Sequence, residues 1–153
     1  MSELRTICVN RKARREYHVE DTLEAGLVLV GSEVKSCRKG SVNLSDSYVA
    51  LRGGEAFLVG THIAPYTQAN RNNHEPRRER KLLLHAREIG RLASKVHERG
   101  YTVIPLRMYF KGARVKVELG LAKGKKLHDK RSDIRKREAD REMERAIRRG
   151  RYE

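Results

Sequence analysis

The chain contains no tryptophan, two cysteines, three prolines and two phenylalanines in 153 residues. Each shortage narrows what it can be. Aromatic side chains make up 5 % of the sequence, too few for rows of rings that stack a single strand; Tyr48, Tyr66, Tyr109 and Phe110 are the candidates. An RNA partner would therefore be a folded one, held by shape and backbone. Cys8 and Cys37 lack any C-x-x-C or C-x-x-H partner, which removes the common zinc spacings and argues against a disulfide in a reducing compartment. No stretch approaches the roughly 20 apolar residues of a membrane-spanning helix. Glu3 and Arg5 interrupt the start of the chain before the apolar run of roughly 7 to 15 residues that a secretory signal needs. A cytoplasmic protein without membrane contact is expected. Also missing are a glycine-rich phosphate loop, H-E-x-x-H, G-x-S-x-G and a carboxylate pair spaced for two metals. The histidines are scattered, and His128 beside Asp129 sits where positioning at an interface suits it better than catalysis. Neither an enzyme, a cofactor nor a metal site is expected.

What the chain has in excess is positive charge. Thirty-five lysines and arginines against twenty acids leave +15, spread over most of the length, so a nucleic acid is the default partner. The length suits one compact domain plus an appendage, and the composition divides it at about residue 123. Residues 124–153 hold twelve basic and seven acidic side chains, with Leu127, Ile134, Met143, Ile147 and Tyr152 as the sizeable apolar ones. Five such groups cannot offset ordering costs of roughly 1–2 kcal/mol per residue, which predicts a basic tail that is disordered until bound. Ala139, Met143, Ala146 and Ile147 fall on one helical face, so the bound form is expected to be a helix.

Within 1–123 the pattern is mainly β. Residues 10–17, NRKARREY, predict a short helix capped by Asn10, and 17–30 predict a strand in which Gly26 marks a bulge or a corner. Residues 31–40, GSEVKSCRKG, predict a helical plug with Val34 and Cys37 inward. Glu33 there is a lone acid among cations. It reads either as a helix-start acid or a partner for Lys35 to Arg38, or else as an acceptor for base or ribose donors. Gly53-Gly54 predicts a tight hairpin, and the loop 60–80, with Arg77, Arg78 and Arg80, is expected to lack fixed structure until a partner binds. Residues 82–99 predict an amphipathic helix with Leu82, Ala86, Ile89, Ala93 and Val96 inward; Leu82, Leu83 and Leu84 cannot all face one side, so at least one sits in a non-helical lead-in or points outward, where it could serve as an apolar platform for a base or sugar. A second hairpin follows across 111–113, with a bulge or edge at Pro105. Successive hairpins with inserted helices favour a small closed antiparallel β-barrel with flanking short helices.

Five blocks taken together are similar to the small protein B family, the SsrA-binding proteins that partner transfer-messenger RNA in bacterial ribosome rescue. They are NRKARREY at 10–17, GSEVKSCRKG at 31–40, LSDSYV at 44–49, RKLLLHARE at 80–88 and AKGKKLHDKR at 122–131. The resemblance implies a closed oligonucleotide-binding-like (OB-like) barrel. It also implies a non-enzymatic adaptor that binds the tRNA-like domain of transfer-messenger RNA (tmRNA) and delivers it to stalled ribosomes in trans-translation. By position it places Asn10, Glu33, Leu83 and Lys116 on the RNA-contacting surface. The tail would occupy the decoding site and empty message channel of the ribosome. Its first part carries Lys125, Lys126, His128, Asp129, Lys130 and Arg131, and Ala146 and Ile147 lie at its expected apolar contact. Arg11, Lys12, Lys35, Arg38 and Lys116 would then grip phosphates while Asn10 and Glu33 discriminate. The alternatives are a general RNA-binding or ribosomal protein without preference for a tRNA-like fold, and a small RNA-cleaving or modifying enzyme.

Overall fold

The computed structural model describes residues 4–67, 73–98, 100–125 and 127–152, and within the last of these the side chains of 134–146 only. In chain order the elements are β1 (Leu4–Val9), α1 (Arg11–Glu16), β2 (Tyr17–Leu27), α2 (Gly31–Arg38), β3 (Val42–Asn43), β4 (Tyr48–Arg52), β5 (Glu55–Val59), β6 (His62–Ile63), β7 (Arg80–Leu83), α3 (Ala86–Val96), β8 (Tyr101–Lys111), β9 (Arg114–Gly124) and α4 (Leu127–Tyr152). Seven strands form one antiparallel sheet in the order β1-β8-β9-β2-β7-β5-β4, and β3 pairs with β6 beside it. The fold is mainly β with short helices, as expected. The hydrogen-bonded closure expected of a barrel is not made among the described residues. β4 does pack against β8, but β8 already has β1 and β9 as ladder partners, so it has no free edge to offer β4.

Alternation drives the two long central strands. In β9, Val115, Val117, Leu119 and Leu121 are buried while Arg114, Lys116 and Glu118 turn outward, the two-residue period of a half-buried strand. They meet Val103, Met108, Leu58, Leu82 and Leu92 in the main core. Ala13 of α1 lies on a second, smaller core with Ile104, Leu106 and Ala122. The bulge foreseen at Pro105 is present: the register shifts between Pro105 and Arg107, and the displaced Leu106 uses its carbonyl to accept from the Asn10 N–H at 2.8 Å. The bulge foreseen at Gly26 is not. β2 shifts register between Val19 and Asp21 instead, where Glu20 accepts from the Tyr101 hydroxyl, and Gly26 pairs regularly with Lys116 on one side and Leu83 on the other.

Two further expectations are corrected. The helix predicted over 82–99 begins at Ala86, because Leu82 and Leu83 belong to β7 and Glu88 Oε1 accepts from the His85 N–H at 2.9 Å to fix the helix start. Its buried residue is Leu92, with Ile89 packed beside it, while Val96 is exposed. The loop after Gly60 is also more ordered than foreseen. Ile63 N–H donates to Pro76 O, Ala64 N–H to Ser41 O, and the Asn73 side chain bonds both the N–H and the carbonyl of Tyr66, so both flanks of the undescribed tip 68–72 are tied down. Gly60 begins this segment at φ 84°, where a Cβ would lie 2.9 Å from the Asp46 carbonyl oxygen. Gly60→Ala is therefore expected to cost roughly 1–3 kcal/mol, read as a lower urea midpoint at unchanged m-value.

The hairpin at Gly53-Gly54 forms as expected, both glycines taking positive φ (56° and 75°). α4 is a continuous helix of 26 residues on which Ile134, Met143 and every other described side chain are exposed. Its helical spacing is the one read for the bound tail. No helix of the described residues is long and apolar enough to cross a membrane.

Candidate nucleic-acid interface

Asn10 has its side chain fully engaged inside the protein. Its Oδ1 accepts from the Ala13 N–H, capping α1 as predicted, while Nδ2 donates to the carbonyls of Pro105 (2.9 Å) and Leu44 (3.3 Å). At 5 % exposure it fastens α1 to the bulge in β8 and to the turn before β4. The helix thus held presents Arg11 outward and sets Lys12 against Asp46, 2.6 Å away. That pairing raises the lysine's pKa and lowers the aspartate's, each mainly through the hydrogen bond between them. A cleft of about 250 Å³ lies between α1 and the start of β4, lined by Lys12, Glu16, Asp46 and Tyr48.

Glu33 is also inside. It is wholly buried on α2, and its partners are none of the cations beside it in sequence. Oε1 accepts from the Val30 N–H at 2.9 Å and from Arg78 Nη2 at 2.6 Å; Oε2 accepts from Arg80 Nε at 2.5 Å. Burial by itself would raise the Glu33 carboxyl, but the bonds from Arg78, Val30 and Arg80 outweigh it and hold the group below the usual carboxylate range. Arg80, equally buried, continues to the carbonyls of Thr61 (2.8 Å) and Pro76 (3.0 Å). Since Arg80 is the first residue of β7, this network sets α2, the two flanks of the 60–80 loop and the strand carrying Leu83 relative to one another.

Leu83 and Lys116 both lie over Gly26. Leu83 is 56 % exposed on β7, and it lies over Gly26, where a Cβ would come within 3.3 Å of the Leu83 side chain and 3.6 Å of Lys116 Nζ. The glycine read as a strand irregularity is what lets an apolar side chain and an ammonium from the two neighbouring strands approach across β2. Shallow depressions flank the pair, one toward Glu24, Lys81 and Ile89, the other toward Leu27, Val34 and Arg114. Further along the same rim Val28 and Val30 are exposed at the exit from β2. Sequence reasoning missed Gly26, Arg114 and these two valines because only the strand pairing brings them beside Leu83.

The predicted cations therefore divide. Lys35 and Arg38 are exposed on α2, and Lys35 and Lys39 place their ammoniums 5.4 and 4.9 Å from the centre of the Tyr66 ring. Arg11 and Lys12 lie at the opposite end of β2 from Gly26. Nine residues of strand put Tyr17, where α1 ends, roughly 30 Å from Gly26. The α1 end is also where the tail departs: Tyr17 pairs with Gly124, and the Lys125 N–H donates to the Glu16 carbonyl at 2.7 Å. Lys126 lies outside the described residues. His128, Asp129, Lys130, Arg131 and Ile147 lie on α4 with side chains outside the description, and Ala146 is exposed.

Burial lifts the Cys8 thiol to about 11 and the Cys37 thiol to about 12, so both stay protonated and unreactive near neutrality. Among the described residues no group of three or more His, Cys, Asp or Glu could hold a metal ion. An exposed leucine and a lysine side by side over Gly26, on a chain of net charge +15, are the kind of side chains a surface of the nucleic-acid-binding class uses, with Glu24, Glu55 and Glu88 lining the same depression as Lys81 and Lys116.

The comparisons give that class a family. The SmpB protein family matches residues 7–149. The chain is 60 % identical to the SsrA-binding protein of Symbiobacterium thermophilum over 153 residues, covering 99 % of this chain and 96 % of that one. It is 60 % identical to the SsrA-binding protein of Desulforudis audaxviator over 144 residues, 94 % of each chain. A solved chain from the work "tmRNA-SmpB: a journey to the center of the bacterial ribosome" is similar at a TM-score of 0.67 and 46 % identity, covering 78 % of this chain and 85 % of that one. This chain belongs to the SmpB family.

Proposed function

We propose that this chain is a non-enzymatic RNA-binding adaptor that binds the tRNA-like domain of transfer-messenger RNA and carries it to stalled ribosomes in trans-translation. The observation that carries the reading is the family match over 7–149, because it spans both the sheet and most of the final helix. The bacterial cytoplasm is the compartment this role requires. In this reading Leu83 and Lys116 form the centre of the RNA surface, with Lys35 and Arg38 and, at the far end, Arg11 and Lys12 meeting phosphates. Asn10 and Glu33 serve it from beneath, by fixing the elements that carry those side chains. The curled sheet acts as an OB-like barrel with a seam where β4 packs on β8. Residues 1–123 form the RNA-binding body. Residues 124–153, with Lys125, Lys126, His128, Asp129, Lys130, Arg131, Ala146 and Ile147, form a ribosome-binding tail whose helix is stable only when bound.

The test is competition binding at physiological salt between transfer-messenger RNA and a size-matched structured RNA, since a protein of charge +15 binds any RNA at low salt. A preference of about tenfold or more is expected, about 1.4 kcal/mol. Equal binding would leave a general basic RNA-binding protein as the account.

A further inference from the structure

The cluster Arg77, Arg78 and Arg80 splits three ways once folded. Arg80 is buried and directs its donors to Glu33 and to carbonyls of the 60–80 segment, leaving nothing for a ligand. Arg77 is exposed and donates to the Gly60 carbonyl at 3.2 Å. Arg78 is intermediate, with its side chain 36 % exposed. It makes one short bond, from Nη2 to the buried Glu33 at 2.6 Å. Its other two contacts are at the limit of bonding, from Nη2 to the Val28 carbonyl at 3.5 Å and from Nη1 to the Glu79 carbonyl at 3.4 Å. Its Nε is buried with no partner. A guanidinium has five donors in a fixed plane, and here a buried carboxylate anchors one edge while much of its capacity stays unspent.

The anchored group lies on the rim already described. The Val28 carbonyl it touches is two residues beyond Gly26, about 7 Å along the strand from the Leu83–Lys116 pair. The Val28 N–H donates to the Lys81 carbonyl, which keeps this part of the chain in register with β7. We infer that Arg78 is a phosphate-binding residue of the RNA surface, held in position by buried Glu33, which thereby acts on RNA through a cation instead of touching it. The inference rests on the RNA-adaptor reading. It accounts for an acid kept among cations: the carboxylate fixes the direction of a fork-shaped donor before the ligand arrives, which reduces the ordering cost of binding. A phosphate oxygen accepts from Arg in the same charge-assisted geometry as a carboxylate, and Nη1, whose one contact is at the limit of bonding, is the donor left for it, the buried Nε being out of a ligand's reach.

The experiment is a salt titration of RNA binding by full-length wild type, Arg78→Gln and Arg78→Lys, with unfolding followed alongside. Arg78→Gln should weaken binding by roughly tenfold and reduce the slope of log affinity against log salt by about one. Arg78→Lys should keep the slope and recover part of the affinity, because the charge remains and the fork is lost. A purely structural arginine would lower stability and leave the slope of the folded protein unchanged, and that outcome overturns the inference. Should Arg78→Gln fail to fold, arginine-specific modification of the wild type by phenylglyoxal takes its place. Bound RNA should protect Arg78, and equal labelling with and without RNA overturns the inference. The slope can be read on any RNA, so a wild type that shows no preference for transfer-messenger RNA defeats the adaptor reading without deciding this one.

Discussion

Glu33→Ala is expected to destabilise the fold by roughly 3–5 kcal/mol, the range for removing one partner of a buried ion pair. The reason is what it leaves behind. Arg80 is wholly buried and would lose its one carboxylate partner among the described residues, and Arg78 would lose its short bond, so a desolvated guanidinium would remain without that counter-charge. The loss of the Val30 bond removes the support of the first turn of α2 as well. Equilibrium urea unfolding measures this as a lower midpoint. A change below about 0.5 kcal/mol, the scale of an ordinary surface substitution, would show that the network does not hold these elements together. Glu33→Gln, which keeps an acceptor for one arginine, should fall between the two proteins.

The same carboxylate makes the fold sensitive to acid, in a direction its pKa fixes. Glu33 is held below its ordinary value near 4.5, so its contribution is complete above that pH and is lost as pH falls through its lower folded value. Between pH 6 and 8 this group leaves stability flat. Glu33→Ala should accordingly flatten the acid limb of the stability profile as well as lower the plateau.

How much of this could be read from the chain follows from the range of each interaction. The Asn10 cap, the Gly53-Gly54 hairpin and the alternation of β9 depend on neighbours a few residues away, and each was legible. Leu82 was not, because a leucine at helical spacing from Ala86 and Ile89 is also a leucine at strand spacing from Arg80, and only pairing with Leu27 and Ala56 decides between the two. Glu33 shows the same limit at the site. Its place as a helix-start acid was visible and is borne out by the Val30 N–H bond, but the cations two to five residues away, offered as its other partners, are not the ones it uses; the structure supplies arginines 45 and 47 positions along. The one usable signal was the arginine cluster at 77–80, read as part of a loop mostly without fixed structure until a partner binds, when Arg80 is core. That one of Leu82, Leu83 and Leu84 must leave the helix or face outward was foreseen but not which, and the convergence of Leu83 and Lys116 over Gly26 depends on a register no periodicity reveals.

Cutting the chain after Lys125 is expected to leave recognition of transfer-messenger RNA within about twofold, a difference of about 0.4 kcal/mol, and to abolish rescue of stalled ribosomes. The position of the cut matters. Gly124 still pairs with Tyr17 and the Lys125 N–H donates to Glu16, so a cut at 123 would strip the end of β9 and confuse loss of the tail with damage to the sheet. Beyond that point the described part of α4 buries nothing: Ile134 and Met143 are 49 % and 67 % exposed, so the helix adds little to the stability of the body and its removal should barely move the thermal midpoint. In the proposed reading, a basic helix whose described side chains bury nothing gains its stability from a partner, the RNA-walled channel of the ribosome. Its folding there would couple arrival of the RNA to an empty channel, because a channel filled by message offers no room for the helix that rewards the ordering. Binding and rescue should therefore separate in the truncated protein, with the first read by competition binding and the second by peptide tagging in a reconstituted stalled-ribosome assay. Equal losses in both would place the tail within the RNA-binding body and dissolve the division of labour between the sheet and the final helix.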